Sequence, residues 1–493
     1  MAMAERKMYA GPVLDLRDWL QRVAQLDDLQ IVTGADWNLE IGVINELWGC
    51  EAQALLFDEI PGFPKGYRVL TNALNSPQRI ALTLGLPPIA DKLELVRALR
   101  ERFKDVPLIP PKLVNDGPIL ENVLTGDEVD LLKFPTPFYH ELDGGRFIGT
   151  ACLSTTVDPD SGWVNFGAYR VMIHDAKSGG IYITLGKHGM MHLEKYWQAG
   201  KPCPIAISVG HDPLLFMVSG VEIPYGISEY DYAGGLRGRP VEVVKGPATG
   251  IPIPAHAEVV LEGEIWPDEV RDEGPFGEWT GYYASGTKAK PVIRLKSILH
   301  RNDPILFGAP PGKPPSDNTY YLSPFKSAAI WDEVEKAGVP GVQGVWQHEA
   351  GGGRLILIVS IRQMYPGHAK QAAHVAAQCH QGAYANRFVI VVDEDVDPTN
   401  THDVLWAMAT RADLRWGVDI IHRNWTSPID PMHYPEDEGK DVFNSRMIID
   451  ACRPWERRNS FPQIASSGPD TRARILEKFS ALFAERRGGA PLR

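Results

Sequence analysis

Residues 149–156 (GTACLSTT), 168–174 (AYRVMIH) and 181–185 (IYITL) decide how this chain is read. Each run is short and rich in Thr, Val, Ile or aromatic residues, and Gly, Pro or Asp breaks separate them, which is the composition and length of a strand. Three runs of the same kind follow at 205–209 (IAISV), 257–264 (AEVVLEGE) and 290–295 (KPVIRL). Many short strands at this spacing predict a barrel or sandwich over residues 126–315. Helical insertions are expected near 192–199 and 230–236.

The texture differs on either side. Over residues 1–125, Leu16, Trp19, Leu20 and Val23 repeat at helical spacing, and Leu95, Val96, Leu99 and Phe103 do so again. With short apolar stretches and the Pro61-Gly62 turn between them, this part reads as α/β. The run 106–111 (VPLIPP) cannot continue a helix and begins a linker. Residues 316–465 alternate once more, with strands expected at 354–361 and 387–393 (RFVIVVD) and helices at 369–378 and 401–411. The 387–393 strand is buried on both faces if its neighbours run parallel. Asn400 or Thr401 suits the N-cap of the last helix. In the tail, 466–493, an amphipathic helix over 471–487 puts Ile475, Phe479, Leu482 and Phe483 on one stripe, to dock on its own chain or on a partner subunit. The fold class is therefore multi-domain α/β around a β-rich centre, with no internal repeat.

Composition narrows the function. A chain of 493 residues with 44% hydrophobic and 23% charged residues is globular, and its length suggests about three domains. The net charge is −12 and no basic stripe stands out, which argues against nucleic acid or an anionic membrane as partner. Arg97, Arg100, Arg102 and Lys104 interleave with Glu94, Glu101 and Asp105 and read as a solvated helix face. The five cysteines are odd in number and form no C-x-x-C, so neither a disulfide framework nor a Cys-rich zinc site is expected. No apolar signal core follows Met1–Lys7, and no run approaches the ~20 apolar residues of a membrane span. A large cytoplasmic enzyme is the expectation.

Several motifs fail on inspection. Residues 308–313 (GAPPGK) are one residue short of a phosphate loop, lack the Ser or Thr after the lysine, and hold prolines where backbone donors are needed. His188 and His192 stand at i, i+4 without the glutamate of a zinc protease. Gly351-Gly-Gly353 precedes a strand and is no dinucleotide fingerprint. Glu394, Asp395 and Asp397 follow a buried strand but read as caps for the next helix.

The chemistry concentrates elsewhere. Residues 273–278 (EGPFGE) carry two carboxylates five apart on a loop that Gly274, Pro275 and Gly277 keep from being helical. Two acids in one cleft raise each other's pKa, so that one can hold a proton near neutrality; two surface acids flanking a turn would look the same. In 165–170 (NFGAYR) a strict strand would send Asn165 and Arg170 to opposite faces, so a bend at Gly167 is needed to bring both to one site. Arg170 offers a fork for a carboxylate or phosphate. His188 is either a structural histidine or a ligand, and Glu229 in 226–229 (GISE) either caps a helix or does chemistry.

Taken in order, 165–170, 226–229, 262–264 (EGE), 273–283 (EGPFGEWTGYY), 365–370 (YPGHAK) and 388–395 (FVIVVDED) resemble the UbiD family of prenylated-FMN-dependent decarboxylases, over roughly residues 15–460. The resemblance implies a central split β-barrel, like that of flavin reductases, holding the cofactor. It also implies a C-terminal α/β oligomerisation domain whose last helix reaches a neighbouring subunit, and hence a homodimer or larger homo-oligomer. Asn165, His188 and Glu229 match the family's ligands for a divalent metal, usually manganese, that binds the flavin phosphate. Backbone oxygens near Trp163 and Ser219 match a potassium site. Thr150, Gly167, Ala168, Tyr169, Lys187 and Lys370 fall where the family meets its cofactor, Lys370 at the phosphate. Arg170, Glu273 and Glu278 match the catalytic triad, with Glu278 as proton donor and Arg170 and Glu273 orienting the substrate carboxylate.

That implied chemistry is reversible, non-oxidative decarboxylation through a covalent adduct between substrate and prenylated FMN, the cofactor being made by a separate flavin prenyltransferase. Loss of carbon dioxide from an sp² carbon leaves a carbanion that acid–base help of ~10²–10⁴-fold cannot offset, so an electron sink is needed. One departure matters. The ubiquinone-pathway branch often has Asp-His where this chain has Glu278-Trp279. Trp279, with Tyr320, Tyr321 and Leu322 lining the same pocket, would favour a compact aromatic or heteroaromatic acid over a polyprenylated hydroxybenzoate. The other alternative is an ordinary FMN oxidoreductase on the same barrel.

Overall fold

The computed structural model describes residues 11–433 and 441–484. They fall into two compact units, divided between Cys452 and Arg453.

The centre of the first unit is a nine-stranded antiparallel sheet that curls into a half-barrel. Its path runs Phe147–Gly149, Val171–Asp175, Ser178–Ile181, Lys288–His300, Val259–Glu273, Cys203–Val209, Cys152–Val157 and Val164–Gly167, and Asn122–Thr125 pairs beside Lys288–His300. The two long strands form its spine. Register shifts between Glu262 and Gly263 and between Ile265 and Val270 break their ladder, and bulges of this kind bend a sheet. Five of the six expected strands lie here, two of them longer than expected: the one expected at 257–264 runs on to Glu273 and the one expected at 290–295 to His300. The sixth, at 181–185, is displaced to Ser178–Ile181. Its glycines hid it: a Cβ on Gly180 would stand 3.3 Å from Glu273 Cγ and 2.8 Å from His174, so the strand is glycine-rich because neighbours crowd it.

The N-terminal sheet orders Leu29–Thr33, Ala54–Asp58, Arg68–Thr71 and Ile305–Phe307. The last strand pairs parallel with Arg68–Thr71, although it lies within the expected 126–315 segment. In the other direction, Asn122–Thr125 belongs to the half-barrel and Lys112–Leu113 pairs with Glu242–Lys245. Three pairings thus cross the expected cut at 125, because sheet edges are completed by segments distant in sequence. Helix Leu16–Gln25 is capped by Asp15 and helix Lys92–Arg102 by Asp91. Arg97, Lys104, Glu94, Glu101 and Asp105 are exposed, as a solvated face requires, but Arg100 is not part of it: it pairs with Asp332 and Glu335, and its guanidinium lies 4.3 Å from the Trp331 ring.

The C-terminal sheet orders Val342–Gln347, Ile356–Ile361, Phe388–Asp393, Phe443–Ala451 and Val418–Trp425. Its three inner strands are parallel, and Val389, Val391 and Val392 are fully buried, as a two-faced strand requires. Helices His368–Gln378 and Thr401–Arg411 flank it, the latter capped by Asn400. Asp395 is held by Arg411 and Asp397 accepts from Thr399, so these two acids make local structural contacts but do not cap the helix, which Asn400 does. Leu95 and Leu99 share one apolar core with Val345 and Leu357, while the half-barrel has a core of its own around Phe147, Ile205, Leu261 and Phe276. Each such side chain contributes ~1.5–3 kcal/mol when buried.

The second unit holds helices Pro469–Lys478 and Ser480–Ala484 with Phe479 between them, so the tail helix is interrupted. Ile475, Phe479 and Leu482 are exposed, and the last three residues of the expected helix lie outside the described residues. All five cysteines are free thiols. Among the described residues no helix is long and apolar enough to cross a membrane.

Candidate active site

Strand Val259–Glu273 delivers Glu273 at its C-terminal end, and the 274–287 loop carries Glu278 back toward it. Strand Val164–Gly167 stops at Gly167, so 168–170 leave the sheet before Val171–Asp175 begins. The chain thus departs from the strand where the sequence required a bend, and Asn165 and Arg170 join two different groups of side chains. Arg170 Nε and Nη2 donate to the two oxygens of Glu273 at 2.7 and 2.9 Å, and Nη1 donates to Glu278 at 2.8 Å. Side-chain exposure is 12% for Arg170, none for Glu273 and 11% for Glu278. One cation thus faces two carboxylates in a nearly dry site, and charge balance favours a proton on one of them. Burial pushes the Glu278 carboxyl above the ordinary range and the nearby Glu273 adds to it, while Arg170 and the Ser285 hydroxyl pull the other way.

A second group sits at the other end of the 165–170 segment. Asn165 Nδ2 donates to Glu229 Oε1 at 2.5 Å and the Phe166 amide donates to Glu229 Oε2 at 2.9 Å. Glu229 opens helix Glu229–Arg237, but its N-cap is Ser228, so its carboxylate is turned to Asn165 rather than used as a cap. Burial raises it to about 7. Asn165 Oδ1 is buried with no hydrogen-bond partner. His188, the first residue of helix His188–Gln198, packs its ring 4.9 Å from Trp163 and 5.8 Å from Tyr225, and burial beside Lys187 keeps it neutral. Among the described residues no three His, Cys, Asp or Glu side chains cluster as a metal site would. The expected trio instead offers an amide oxygen, a carboxylate and an imidazole. The free Oδ1 lone pairs and the buried Glu229 carboxylate are hard oxygen donors of the kind that could hold a divalent cation.

The remaining expected residues are placed as follows. The Trp163 carbonyl already accepts from the Asp158 amide, and Ser219 ends helix Pro213–Ser219 with its hydroxyl bonded to Phe216. Thr150 accepts from the Ala309 amide, and Ala168 is exposed. A Cβ on Gly167 would meet the Tyr169 ring at 2.6 Å, so only glycine admits that ring. Tyr169 in turn lies against Gly189 at the start of the His188 helix. Lys187 is the exposed N-cap of that helix.

Two expectations need correction. Lys370 is not free for a phosphate: its ammonium pairs with Asp419 at 2.6 Å, on the outer strand of the C-terminal sheet, beside His374. Lys370→Ala is therefore expected to leave flavin content unchanged, checked by flavin absorbance per mole of purified protein. Tyr320, Tyr321 and Leu322 are at most 4% exposed and belong to the core, with the Tyr320 hydroxyl on Glu51. Trp279 is the only one of the four expected pocket residues that keeps substantial exposure.

Three family models match this chain in order: the N-terminal domain of 3-octaprenyl-4-hydroxybenzoate carboxy-lyase over 20–102, its Rift-related domain over 112–314 and its C-terminal domain over 319–451. The chain belongs to the UbiD family of decarboxylases. A pyrrole-2-carboxylic acid decarboxylase of Pseudomonas aeruginosa is 35% identical, covering 81% of this chain and 83% of that one. The vanillic acid decarboxylase of Sedimentibacter hydroxybenzoicus, in its open form with a truncated companion chain, superposes with a TM-score of 0.83 at 31% identity, covering 95% and 99% of the two chains. An evolved dimeric form of the UbiD-class enzyme HmfF from Pelotomaculum thermopropionicum, in complex with prFMN, superposes with a TM-score of 0.80 at 28% identity, covering 94% and 100%.

Four side chains beside this UbiD-family site escaped the sequence reading. Ser285 lies 3.4 Å from Arg170 Nη2 and bonds Glu278, so it ties the cation to the acid. Tyr182 packs its ring 4.8 Å from the Arg170 guanidinium. Neither a lone Ser nor a lone Tyr carries a pattern. Lys326 and Arg354 are the other two. The glycine run before Arg354 was their one visible signal, and it was set aside as a failed fingerprint.

Proposed function

We propose that this chain reversibly removes carbon dioxide from a compact aromatic or heteroaromatic carboxylic acid with prenylated FMN as cofactor. The Arg170–Glu273–Glu278 constellation carries the reading: a guanidinium fork and a carboxyl that burial inclines to hold its proton are what an acid substrate that must be oriented and then protonated requires. The named relatives act on pyrrole-2-carboxylic and vanillic acids, and a UbiD-class neighbour binds prFMN, which supports both the substrate class and the cofactor.

Asn165, Glu229 and His188 would hold the flavin phosphate through a divalent cation, manganese being the best fit, with potassium near the Trp163 and Ser219 carbonyls and Lys187 close by. When bound, the flavin supplies the electron sink that no side chain here can. Arg170 fixes the substrate carboxylate, Glu273 fixes Arg170, and Glu278 delivers the proton that replaces carbon dioxide. The bulk of Trp279 beside Glu278 would favour a compact aromatic or heteroaromatic acid over one carrying a polyprenyl chain. A homo-oligomer and a separate prenyltransferase that makes the cofactor complete the proposal.

The test is carbon dioxide release from a panel of small aromatic and heteroaromatic acids and from a polyprenylated hydroxybenzoate, using protein produced alongside a prenylated-FMN synthase. Turnover of at least one compact acid and none of the polyprenylated one is expected. Turnover of the polyprenylated acid alone would reverse the size argument. Widening the pocket by Trp279→Ala is expected to lower kcat/KM for the compact acid and admit bulkier rings.

A further inference from the structure

Lys326 and Arg354 stand near one another, and no carboxylate among the described residues forms an ion pair with either. Lys326 lies on helix Leu322–Lys336, and Arg354 closes the turn ahead of strand Ile356–Ile361. The Arg354 guanidinium sits 4.9 Å from the Trp279 ring, and its one long hydrogen bond, 3.4 Å, goes to the Gly352 carbonyl. The Lys326 ammonium sits 5.6 Å from the Tyr384 ring. Both are enclosed by protein yet keep some surface open to water, as side chains on a cleft wall do.

The turn is built to hold Arg354 there. Gly352 and Gly353 both have positive φ, and a Cβ on Gly352 would stand 2.7 Å from the Trp279 carbonyl oxygen and 2.8 Å from its ring. Only glycine lets the turn seat on Trp279, the residue that follows the acid Glu278. Around the two cations lie Lys187, a third positive charge, the phenols Tyr321 and Tyr384, and, among the described residues, the acid Glu222. Glu222 already lies 3.4 Å from His380. Burial and the neighbouring cations push Lys326 down to about 7. Uncompensated like charges in a desolvated wall are costly unless a ligand supplies the counter-charge.

We infer that Lys326 and Arg354 form a second oxyanion site, separate from the Arg170 fork, that takes a phosphoryl or carboxylate group. Two sources have this chemistry: the phosphate tail of the flavin, or a second acidic substituent on the substrate ring. The inference goes beyond the proposed reaction and survives or fails without it, because it is read by binding rather than turnover.

The experiment titrates flavin-free protein with inorganic phosphate, benzoate and benzene-1,3-dicarboxylate by calorimetry, in wild type, Arg354→Gln and Lys326→Met. Phosphate affinity that drops on the order of tenfold or more in both variants assigns the site to the cofactor tail. A dicarboxylate preference over benzoate that both variants erase assigns it to the substrate. Affinities for phosphate and dicarboxylate that neither variant changes overturn the inference. Should a variant not fold, wild type still decides: an anion beside Lys326 raises its pKa, so binding at pH 8 takes up protons and the enthalpy changes between buffers of different ionisation heat. Binding with no proton uptake rejects the site.

Discussion

Glu278→Gln is expected to cut the decarboxylation rate by about 10²–10⁴-fold, the usual worth of a placed general acid, while the protein keeps its fold and its flavin. Gln has nearly the same shape and still offers Arg170 an acceptor in place of the 2.8 Å bond that Glu278 makes. What it lacks is a proton to give. The pH profile carries the same signature. Burial raises the Glu278 pKa, so its protonated form persists above the ordinary carboxylate range and is lost as pH rises through that raised value. The kcat of wild type is expected to fall on the alkaline side of that value, and the residual rate of Glu278→Gln to lack this limb. Steady-state carbon dioxide release across pH 5–9, normalised to bound flavin, checks both.

Arg170→Ala is expected to abolish turnover and to destabilise the fold by about 3–5 kcal/mol. The activity loss follows from removing the substrate fork. The stability loss follows from Glu273, whose side chain is fully buried and whose two oxygens both rest on Arg170. Without the guanidinium that carboxylate is an unpaired charge in a dry strand end. Burial without a counter-charge disfavours the ionised form of any carboxyl, so the variant's fold loses stability as pH rises. Urea denaturation of flavin-free protein should therefore show a deficit that shrinks toward low pH. Adding Glu273→Gln, which removes the charge, should recover part of it at neutral pH without restoring turnover.

Local pattern made some of this legible and hid the rest. The parallel strand Phe388–Asp393 and the Asn400-capped helix after it were plain because apolar runs and caps act over a few residues. The departure from the sheet after Gly167 was visible because period-two alternation would otherwise separate Asn165 from Arg170. The third strand of the half-barrel was misplaced because Gly179 and Gly180 have no strand propensity; they serve the close approach of neighbours that only the tertiary fold brings near. Ile305–Phe307 was given to the wrong layer because a parallel pair across more than 200 residues leaves no local trace. Lys370 was misread for a similar reason: the acid that occupies it, Asp419, is on a distant strand. Buried cations such as Lys326 and Arg354 look like any surface Lys or Arg until the wall around them is seen.

The central claim is that Arg170, Glu273 and Glu278 exchange a carboxylate for a proton at one carbon of an aromatic acid. Running flavin-loaded protein with a turned-over acid in D₂O tests it most directly, by locating the label in the product. The account predicts one deuterium on the carbon that bore the carboxylate, one carbon dioxide released per product, and no net oxidation of the substrate. A product that keeps its carboxylate while the flavin is reduced would contradict it.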